Sequence, residues 1–391
     1  MRIGILTLDG LYVCGESTYA YHLMKGLEAL GHEVEFFSIN YFGKKYKASD
    51  NAPVPITWLK IRDVACLRGK FDVIHVTNAK YKPKPGEYDY LKPLEGDDAV
   101  KTFLCHSHVA WKCHDYEQLA KAISWDASFD IDDFMLEQEH LKWVPEAHFV
   151  EPPFDRTLAG EWRGIYAPRE KRGERSLLFL NSRFAIDKTP MRVFEVLEEL
   201  KTKATLKIHT TSGNYYMTML YGAFFSKYPG RFPVFLEQSQ DSIDKHTESI
   251  WQEPRYYGRR FKLTDHVNVV FEEQYDASDR PHVYLDVALC LDGTDHGGRH
   301  GPNRTQYTTL EAMHFGVPPV TSLRWKHDYV YVTDLTTENV ALLLDNPDAR
   351  RCIVETNEWH LEEHFRADLI AQKYFVDVWE HIRAKRQEVV G

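Results

Sequence analysis

The segment Arg2-Ile3-Gly4-Ile5-Leu6-Thr7-Leu8 is an almost unbroken apolar run and predicts a strand that is buried in a sheet. A helical pattern follows from Ser17 to Leu30, and Gly31 ends it. A second apolar run, Ser176-Leu177-Leu178-Phe179-Leu180, opens the back half in the same way. Strand and helix patterns alternate after each run. This alternation predicts an α/β protein with two doubly wound, Rossmann-like sheets and a ligand cleft between them.

Length and composition agree with two domains. The chain has 391 residues, of which 43% are hydrophobic, enough for two packed cores. Pro152-Pro153 and the glycine-containing basic stretch 156–175 indicate a connection between the halves. We predict one domain at 1–165, a second at 174–365, and a mostly helical segment at 366–391.

Charge and cysteine content narrow the class of protein. The formal charge is −10, which argues against a globally basic nucleic-acid binder but leaves room for a local basic groove. No apolar run reaches the ~18 residues of a membrane span, and residues 1–8 do not have the pattern of a secretory signal. The six cysteines are sparse for this length. These features predict a cytoplasmic protein with reduced thiols and no membrane partner.

The stretch from Arg304 to Val320 contains a candidate phosphate site. It predicts a helix with Thr308 and Thr309 in its opening turn, Glu311 one turn inward, and a stop at Gly316. Free N–H groups and the helix dipole favour an anion at such an opening turn. Glu311 could accept hydrogen bonds from a ribose diol. An ordinary surface helix with a capping hydroxyl would give the same pattern.

Two loops follow predicted strands and contain residues suited to a phosphorylated ligand. Arg183 and Lys188 come soon after the strand at 176–180, and together they could neutralise one diphosphate. They could also be solubilising loop charges. Gly15 and Glu16 lie in the loop after the first strand, where glycine permits close approach of the backbone to a ligand. That loop lacks the dinucleotide and P-loop fingerprints, so the sequence predicts no nicotinamide cofactor. A tight turn before a capping serine would account for the glycine equally well.

The segment from Cys105 to Asp115 is dense in imidazole, thiol and carboxylate groups. His106 and His108 follow a predicted strand, and Asp115 is close enough in sequence to polarise a neighbouring histidine. Three interpretations stay open. The histidines could bind zinc, could orient an acceptor hydroxyl or a donor phosphate from the wall of a cleft, or could be buried and hydrogen-bonded.

Basic residues interleaved with aromatic ones occur in several predicted loops. The runs at 44–47, 80–84 and 255–262 contain no acid, and the stretch 156–175 adds six cations. Such runs suit a phosphate backbone and exposed bases, although any one of them could be solvated surface. The residues we predict to contact DNA are Arg172, Arg255, Arg259, Arg260 and Lys262.

These features together resemble the GT-B glycosyltransferases, which use nucleotide sugars. The resemblance rests on the Arg183/Lys188 pair and on the segment Leu310-Glu311-Ala312-Met313 with its following Gly316-Val317-Pro318. It implies that the cations and the helix opening at Thr308 bind the donor diphosphate and that Glu311 binds the ribose. It also implies that the back domain binds the nucleotide sugar, while the segment 366–391 packs on the acceptor-side front domain. Asn303 stands where many relatives have an acidic residue.

The sequence also resembles the bacteriophage DNA α-glucosyltransferases, which modify 5-hydroxymethylcytosine. This likeness rests on Met1-Arg2-Ile3, on the loop through Gly15, on Gly31-His32-Glu33-Val34, and on the pair His106 and His108. It implies transfer of a sugar from UDP to a flipped-out base of duplex DNA in an infected bacterium, with retention of configuration. Ser107 stands where that branch has an acidic residue, so Asp115, Asp9 or Glu16 is the candidate catalytic carboxylate.

Several alternatives stay open. Glucose is the default sugar, and a pentose such as arabinose is the other option. The acceptor could instead be a glycan, a lipid or a small metabolite. Outside this class of enzyme, a binding protein without turnover and a zinc hydrolase that uses His106 and His108 are possible. We expect a monomer with UDP-sugar as co-substrate, no tightly bound cofactor, and no requirement for a divalent metal.

Overall fold

The computed structural model describes residues 1–7, 15–39, 53–77, 86–105, 113–131, 142–160, 177–180, 191–210, 227, 260–273, 280–284, 287–293, 306–321 and 333–390. The chain divides into two compact units. The first comprises Met1–Leu158, Gly297–Tyr307 and Leu361–Gly391, and the second comprises Ala159–His296 and Thr308–His360. The boundaries predicted at 165, 174 and 365 stay predictions.

The first unit contains a seven-stranded parallel sheet in the order β3-β2-β1-β4-β5-β6-β7. Its helices include α1, whose buried face packs through Tyr19, Leu23 and Leu27. The strands are β1 (Arg2–Thr7), β2 (Glu33–Ile39), β3 (Thr57–Leu59), β4 (Val73–Thr77), β5 (Val100–Cys105), β6 (Ala127–Asp130) and β7 (Ala147–Phe149). The helices are α1 (Gly15–Ala29), α2 (Cys113–Ala120) and α3 (Arg156–Ala159), with 3₁₀ turns at Ile61–Leu67 and Asp89–Leu94.

The second unit contains another seven-stranded sheet, in the order β10-β11-β9-β8-β12-β13-β14. Its strands run parallel except β10, which is antiparallel to β11. The strands are β8 (Leu177–Leu180), β9 (Ala204–Thr210), β10 (Arg260–Lys262), β11 (Val267–Glu273), β12 (Leu289–Asp292), β13 (Pro319–Thr321) and β14 (Thr333–Asp334). The helices are α4 (Met191–Glu199), α5 (Arg280–Tyr284), α6 (Tyr307–His314), α7 (Thr337–Asp345) and α8 (Pro347–His360).

The carboxyl-terminal segment is part of the first unit. It contains α9 (Ala367–Ile370) and α10 (Asp377–Val390), with π-helical turns at Leu361–Phe365 and Ala371–Val376. Phe154 N–H donates to the Phe365 carbonyl at 2.7 Å, and Ala367 N–H donates to the Phe154 carbonyl at 3.1 Å. Further along, Arg386 pairs with Asp126 at 2.6 Å. These contacts dock the last thirty or so residues on the first sheet.

The predicted fold class is confirmed, because both sheets are doubly wound and strand–helix alternation produces each of them. Gly31 and Gly316 end α1 and α6 with φ angles of +81° and +65°, a region that favours glycine. The sequence pattern predicts a strand from Tyr284 to Leu291. This prediction is wrong over its first residues, because Arg280–Tyr284 form a short helix and β12 begins at Leu289. Pro281 lies near the start of that helix, a position that suits its fixed φ angle. The sequence pattern also predicts a helix at 132–143, most of which falls outside the described residues.

Candidate functional site

The strand order of the second sheet reverses beside β8. The next strand in the chain, β9, lies on one side of β8, and β12 lies on the other. In open α/β sheets ligands bind at the carboxyl ends of the strands at such a switch point. Leu180 ends β8 and is followed in the sequence by the segment with Arg183 and Lys188, while Asp292 ends β12. The ends of β8 and β12 therefore define the candidate site of this unit.

Two buried carboxylates lie near Cys290 of β12. The exposed fraction is 2% for Asp292 and 4% for Glu311. Both act on the thiol of Cys290, whose pKa is raised well above its ordinary value by burial and then by the negative charges of Glu311 and Asp292. Burial of two carboxylates is costly unless each is hydrogen-bonded or paired. The edge beside β12 is therefore polar as well as buried.

Helix α6 packs beside β8 and β12 in one apolar cluster, which includes Phe179, Cys290 and Ala312. The Phe179 ring of β8 meets Tyr284 edge-on at 5.4 Å between centroids, and Tyr284 stacks on Phe315 at 4.8 Å. The helix ends in a double hydrogen bond. The Gly316 N–H donates to the Met313 carbonyl at 3.0 Å. The Val317 N–H donates to the Ala312 carbonyl at 2.8 Å. The helix position, and with it that of Glu311, is therefore determined by packing at both the sheet and the C-terminal end.

The opening turn of α6 carries the two predicted hydroxyl residues. Thr308 is partly buried and Thr309 is 1% exposed. The first N–H groups of an α-helix have no carbonyl partner inside the helix, so this turn offers donors to an anion. Thr308, Thr309 and Glu311 are therefore brought together on one helix, as the sequence predicts.

The corresponding edge of the first unit is also polar and buried. Its switch point lies between β1 and β4, whose last residues, Thr7 and Thr77, pair in register and are each 2% exposed. Two strands away, Asp130 at the end of β6 pairs with Cys105 at the end of β5. Asp130 is fully buried, and the Ser128 hydroxyl donates to its Oδ2 at 3.3 Å. His106 and His108 follow Cys105 directly in the sequence.

Most of the other predicted site residues lie outside the described part of the chain. Gly15 and Glu16 begin α1, Asp115 is in the first turn of α2, and Arg260 begins β10, with only their backbones described. Lys262 is exposed and pairs with Asp265 at 2.6 Å. The residues outside the described ranges are His106, His108, Arg172, Arg183, Lys188, Arg255 and Arg259. The roles of all of these residues stay predictions.

Sequence reasoning missed two acidic residues at strand ends. Asp292 follows the apolar run Leu289-Cys290-Leu291, and Asp130 ends a short strand that the sequence pattern did not reveal. An acid placed directly after a buried strand is a usable signal, because parallel strands end at the ligand-binding edge of the sheet. Asp130 adds a further carboxylate to the candidates Asp115, Asp9 and Glu16.

Among the residues that the structure describes, no three His, Cys, Asp or Glu side chains cluster closely enough to hold a metal ion. Within the same ranges, none of the helices combines the length and the apolar character needed to traverse a lipid bilayer.

Comparison with solved structures identifies the architecture. The chain superposes on an α-glucosyltransferase solved in complex with UDP and a 13-mer DNA containing an HMU base, with a TM-score of 0.71 and 14% sequence identity over 97% of this chain and 99% of that one. The chain has the GT-B fold. This GT-B chain is also similar to HepE of Anabaena in complex with UDP, with a TM-score of 0.56 and 11% identity over 99% and 100% of the two chains.

A third structure with the same GT-B architecture is a glycosyltransferase from Rickettsia africae. Its TM-score is 0.55 at 12% identity, covering 97% of this chain and 98% of that one. No protein-family model and no curated protein sequence matches this GT-B chain. The likeness is therefore one of fold.

Proposed function

We propose that this GT-B chain is a UDP-sugar-dependent glycosyltransferase that acts on DNA. The observation that carries the proposal is the likeness over almost the whole chain to an α-glucosyltransferase bound to UDP and HMU-containing DNA. Two further structures support a UDP-linked donor. One is an α-glucosyltransferase in complex with UDP-glucose and DNA containing an abasic site, and the other is HepE in complex with UDP. The buried Glu311 beside the switch point of the second unit agrees with a nucleotide site there.

The donor would lie at the carboxyl edge of the second sheet. The ribose would donate hydrogen bonds to Glu311, and the diphosphate would accept from the opening turn of α6 at Thr308 and Thr309. Arg183 and Lys188 would neutralise the diphosphate, and Gly15 and Glu16 would also bind the donor. Charge on the leaving UDP grows as the bond to the sugar breaks, so fixed cations stabilise the transition state. We therefore expect no need for a divalent metal and no tightly bound cofactor.

The acceptor would be the hydroxymethyl group of 5-hydroxymethylcytosine. A base inside a duplex is inaccessible, so it would be flipped out before reaction. Arg172, Arg255, Arg259, Arg260 and Lys262 would contact the phosphate backbone, and DNA binding would weaken steeply as salt is raised.

The chemical step would transfer the sugar with retention of configuration. The acceptor oxygen would form a bond to the anomeric carbon, the bond from that carbon to the phosphate oxygen would break, and the acceptor proton would pass to the departing phosphate. His106, His108 and Asp115 would orient the acceptor and the phosphate. Glucose is the default sugar, and a pentose such as arabinose is the second option. The enzyme would work as a monomer in the cytoplasm of a phage-infected bacterium.

The decisive experiment is mass spectrometry of hydroxymethylated DNA after incubation with the pure protein and a panel of UDP-sugars. A mass increase of one hexose or pentose per modified base is expected, and unmodified DNA serves as the control. The alternative is that the acceptor is a glycan, a lipid or a small molecule. Transfer to such an acceptor without any DNA product would support it.

A pair of variants tests the donor site. Arg183→Ala and Lys188→Ala should each remove most of the transfer while the thermal unfolding curve stays unchanged. Lys201→Ala, at an exposed position in the same unit, is the matched charge control. Wild-type transfer rates in either donor-site variant would contradict the assignment.

A further inference from the structure

A shallow groove lies beside the end of β3 in the first unit. It is lined by Lys60, Ile61 and Arg62 on one side and by Tyr90 and Pro93 on the other, and it encloses about 580 Å³. Lys60 directly follows β3 and precedes the 3₁₀ turn at Ile61–Leu67. The groove is broad and open to solvent, unlike the enclosed pockets that bury most of a small molecule.

The charges of the groove are unbalanced in favour of cations. Lys60 and Arg62 are both exposed, and no acidic side chain lines the groove. Arg62 pairs with Asp63 at 3.7 Å, and because both side chains are exposed the pair is weak. A second cation beside the groove, Lys92, pairs at the surface with Asp89 at 3.0 Å.

The apolar part of the groove is accessible as well. Ile61 is 37% exposed, although isoleucine is usually buried, and the Tyr90 ring is partly exposed on the opposite wall. Trp58 on β3, two residues before Lys60 in the sequence, is 41% exposed. Cations interleaved with exposed aromatic and aliphatic side chains suit sugar–phosphate backbones and unstacked bases.

The groove lies at the same edge of the first sheet as the buried residues that end β1, β4 and β5. Strands β3, β2, β1, β4 and β5 are parallel, so they all end at one edge of the sheet. Lys60 therefore lies at the edge where β1 ends at Thr7, β4 at Thr77 and β5 at Cys105. Basic runs also follow β2 and β4 in the sequence, at 44–47 and 80–84, beyond the described residues.

From this arrangement we infer that the groove beside β3 binds the phosphodiester backbone of nucleic acid, with Lys60 and Arg62 on adjacent phosphates and Ile61 and Tyr90 against the sugars or an exposed base. The inference rests on the proposed function, in which DNA is the acceptor, and it adds a contact surface away from the reacting groups. A continuous polyanion fits better than a free nucleotide, because the groove is open to solvent and lacks the closure that a small ligand needs.

The test compares two double variants of equal charge. Lys60→Ala with Arg62→Ala removes the groove cations, whereas Arg68→Ala with Lys70→Ala removes two exposed cations that precede β4 at the opposite edge of the sheet. Fluorescence anisotropy with a labelled DNA duplex measures affinity across a salt series. We expect the groove variant to bind DNA about tenfold more weakly, with a salt slope smaller by about 2, and the control variant to match the wild type.

Further measurements separate the inference from the proposed function. With hydroxymethylated DNA, the groove variant should show a raised KM for DNA, an unchanged kcat at saturating DNA, and unchanged affinity for UDP. If the wild type transfers sugar to DNA and both double variants have the same KM for DNA, DNA binding by the groove is refuted. The proposed function would then still hold. Absence of any DNA transfer or binding by the wild type would overturn both. Weaker binding of poly-glutamate without weaker binding of DNA would instead assign an acidic protein partner and refute the inference.

Discussion

The indole Nε1 of Trp379 donates a hydrogen bond to Oγ1 of Thr102 at 3.2 Å, across 277 residues of sequence. Thr102 is in the middle of the first sheet, and Trp379 belongs to the carboxyl-terminal helix α10. Both side chains are fully buried. The same Oγ1 lies 2.9 Å from Nδ1 of His75, so one hydroxyl joins two strands and the returning helix. The end of the chain is therefore built into the core of the first unit.

Truncating Trp379 should weaken the first unit. Trp379→Ala removes the largest buried side chain of this region and leaves a cavity, so the free energy of unfolding should fall by about 3–5 kcal/mol. Trp359→Ala is the control, because Trp359 is 54% exposed and its loss should change stability by less than about 0.5 kcal/mol. Urea unfolding followed by far-UV circular dichroism measures both. If Trp379→Ala destabilised the protein no more than Trp359→Ala does, the contribution of α10 to stability would be refuted.

A second prediction concerns the contact between α1 and α9. A Cβ built on Gly26 would overlap the carbonyl group of Ala367, which is rigid backbone. Gly26→Ala should therefore destabilise the protein by about 1–3 kcal/mol or more, although alanine normally favours a helix. Glu28→Ala, on the more exposed side of the same helix, should stay close to the wild type. A variant Gly26→Ala with an unchanged melting temperature would contradict this close approach.

The donor-site assignment of Glu311 can be tested by binding. Glu311→Gln keeps the size of the side chain but loses the charge, so two ribose hydroxyls would lose a charged acceptor. Affinity for UDP, measured by isothermal titration calorimetry, should fall about 10–100-fold. Glu338→Gln removes an exposed carboxylate on α7 and should leave UDP binding unchanged. A Glu311→Gln variant that binds UDP with wild-type affinity would contradict the assignment of Glu311 to the donor site.

The fourth prediction is a pH dependence of stability. Burial lowers the pKa of His75 from its ordinary 6.5 to about 3, and the ring is surrounded by Phe129, Phe375 and Trp379. Between these two pH values the unfolded chain binds a proton that the folded chain excludes. Stability from this residue is therefore complete above pH 6.5 and is lost as the pH falls toward 3, by about 1.4 kcal/mol per pH unit.

A substitution separates His75 from the other titrating groups. His75→Gln is neutral at every pH, so its free energy of unfolding should fall less steeply than that of the wild type between pH 6.5 and pH 5. His381→Gln, at an exposed position on α10, is the control and should keep the wild-type slope. Urea titrations at several pH values measure the slopes. Identical slopes in His75→Gln and the wild type would refute the buried neutral histidine.

Local features of the fold could be predicted because they depend on neighbouring residues. The apolar runs Arg2–Thr7 and Leu177–Leu180 form the first strand of each sheet in sequence order, and Gly31 and Gly316 end their helices where the pattern places them. The opening turn of α6 with Thr308, Thr309 and Glu311 could be predicted in the same way. Short edge strands such as Thr57–Leu59 could not, because three residues give no periodicity that distinguishes a strand from a loop.

The sequence by itself determined the alternation of strands and helices, their end signals, and the polar residues that follow the strands. Only the tertiary structure decided which strands are neighbours, and therefore that Asp292 and Glu311 both lie near Cys290 and that Trp379 reaches Thr102. The physical reason is that helix and turn propensities act over a few residues, whereas strand order and side-chain burial arise from contacts between segments far apart in the chain. Those contacts form when the apolar faces of distant elements leave water together.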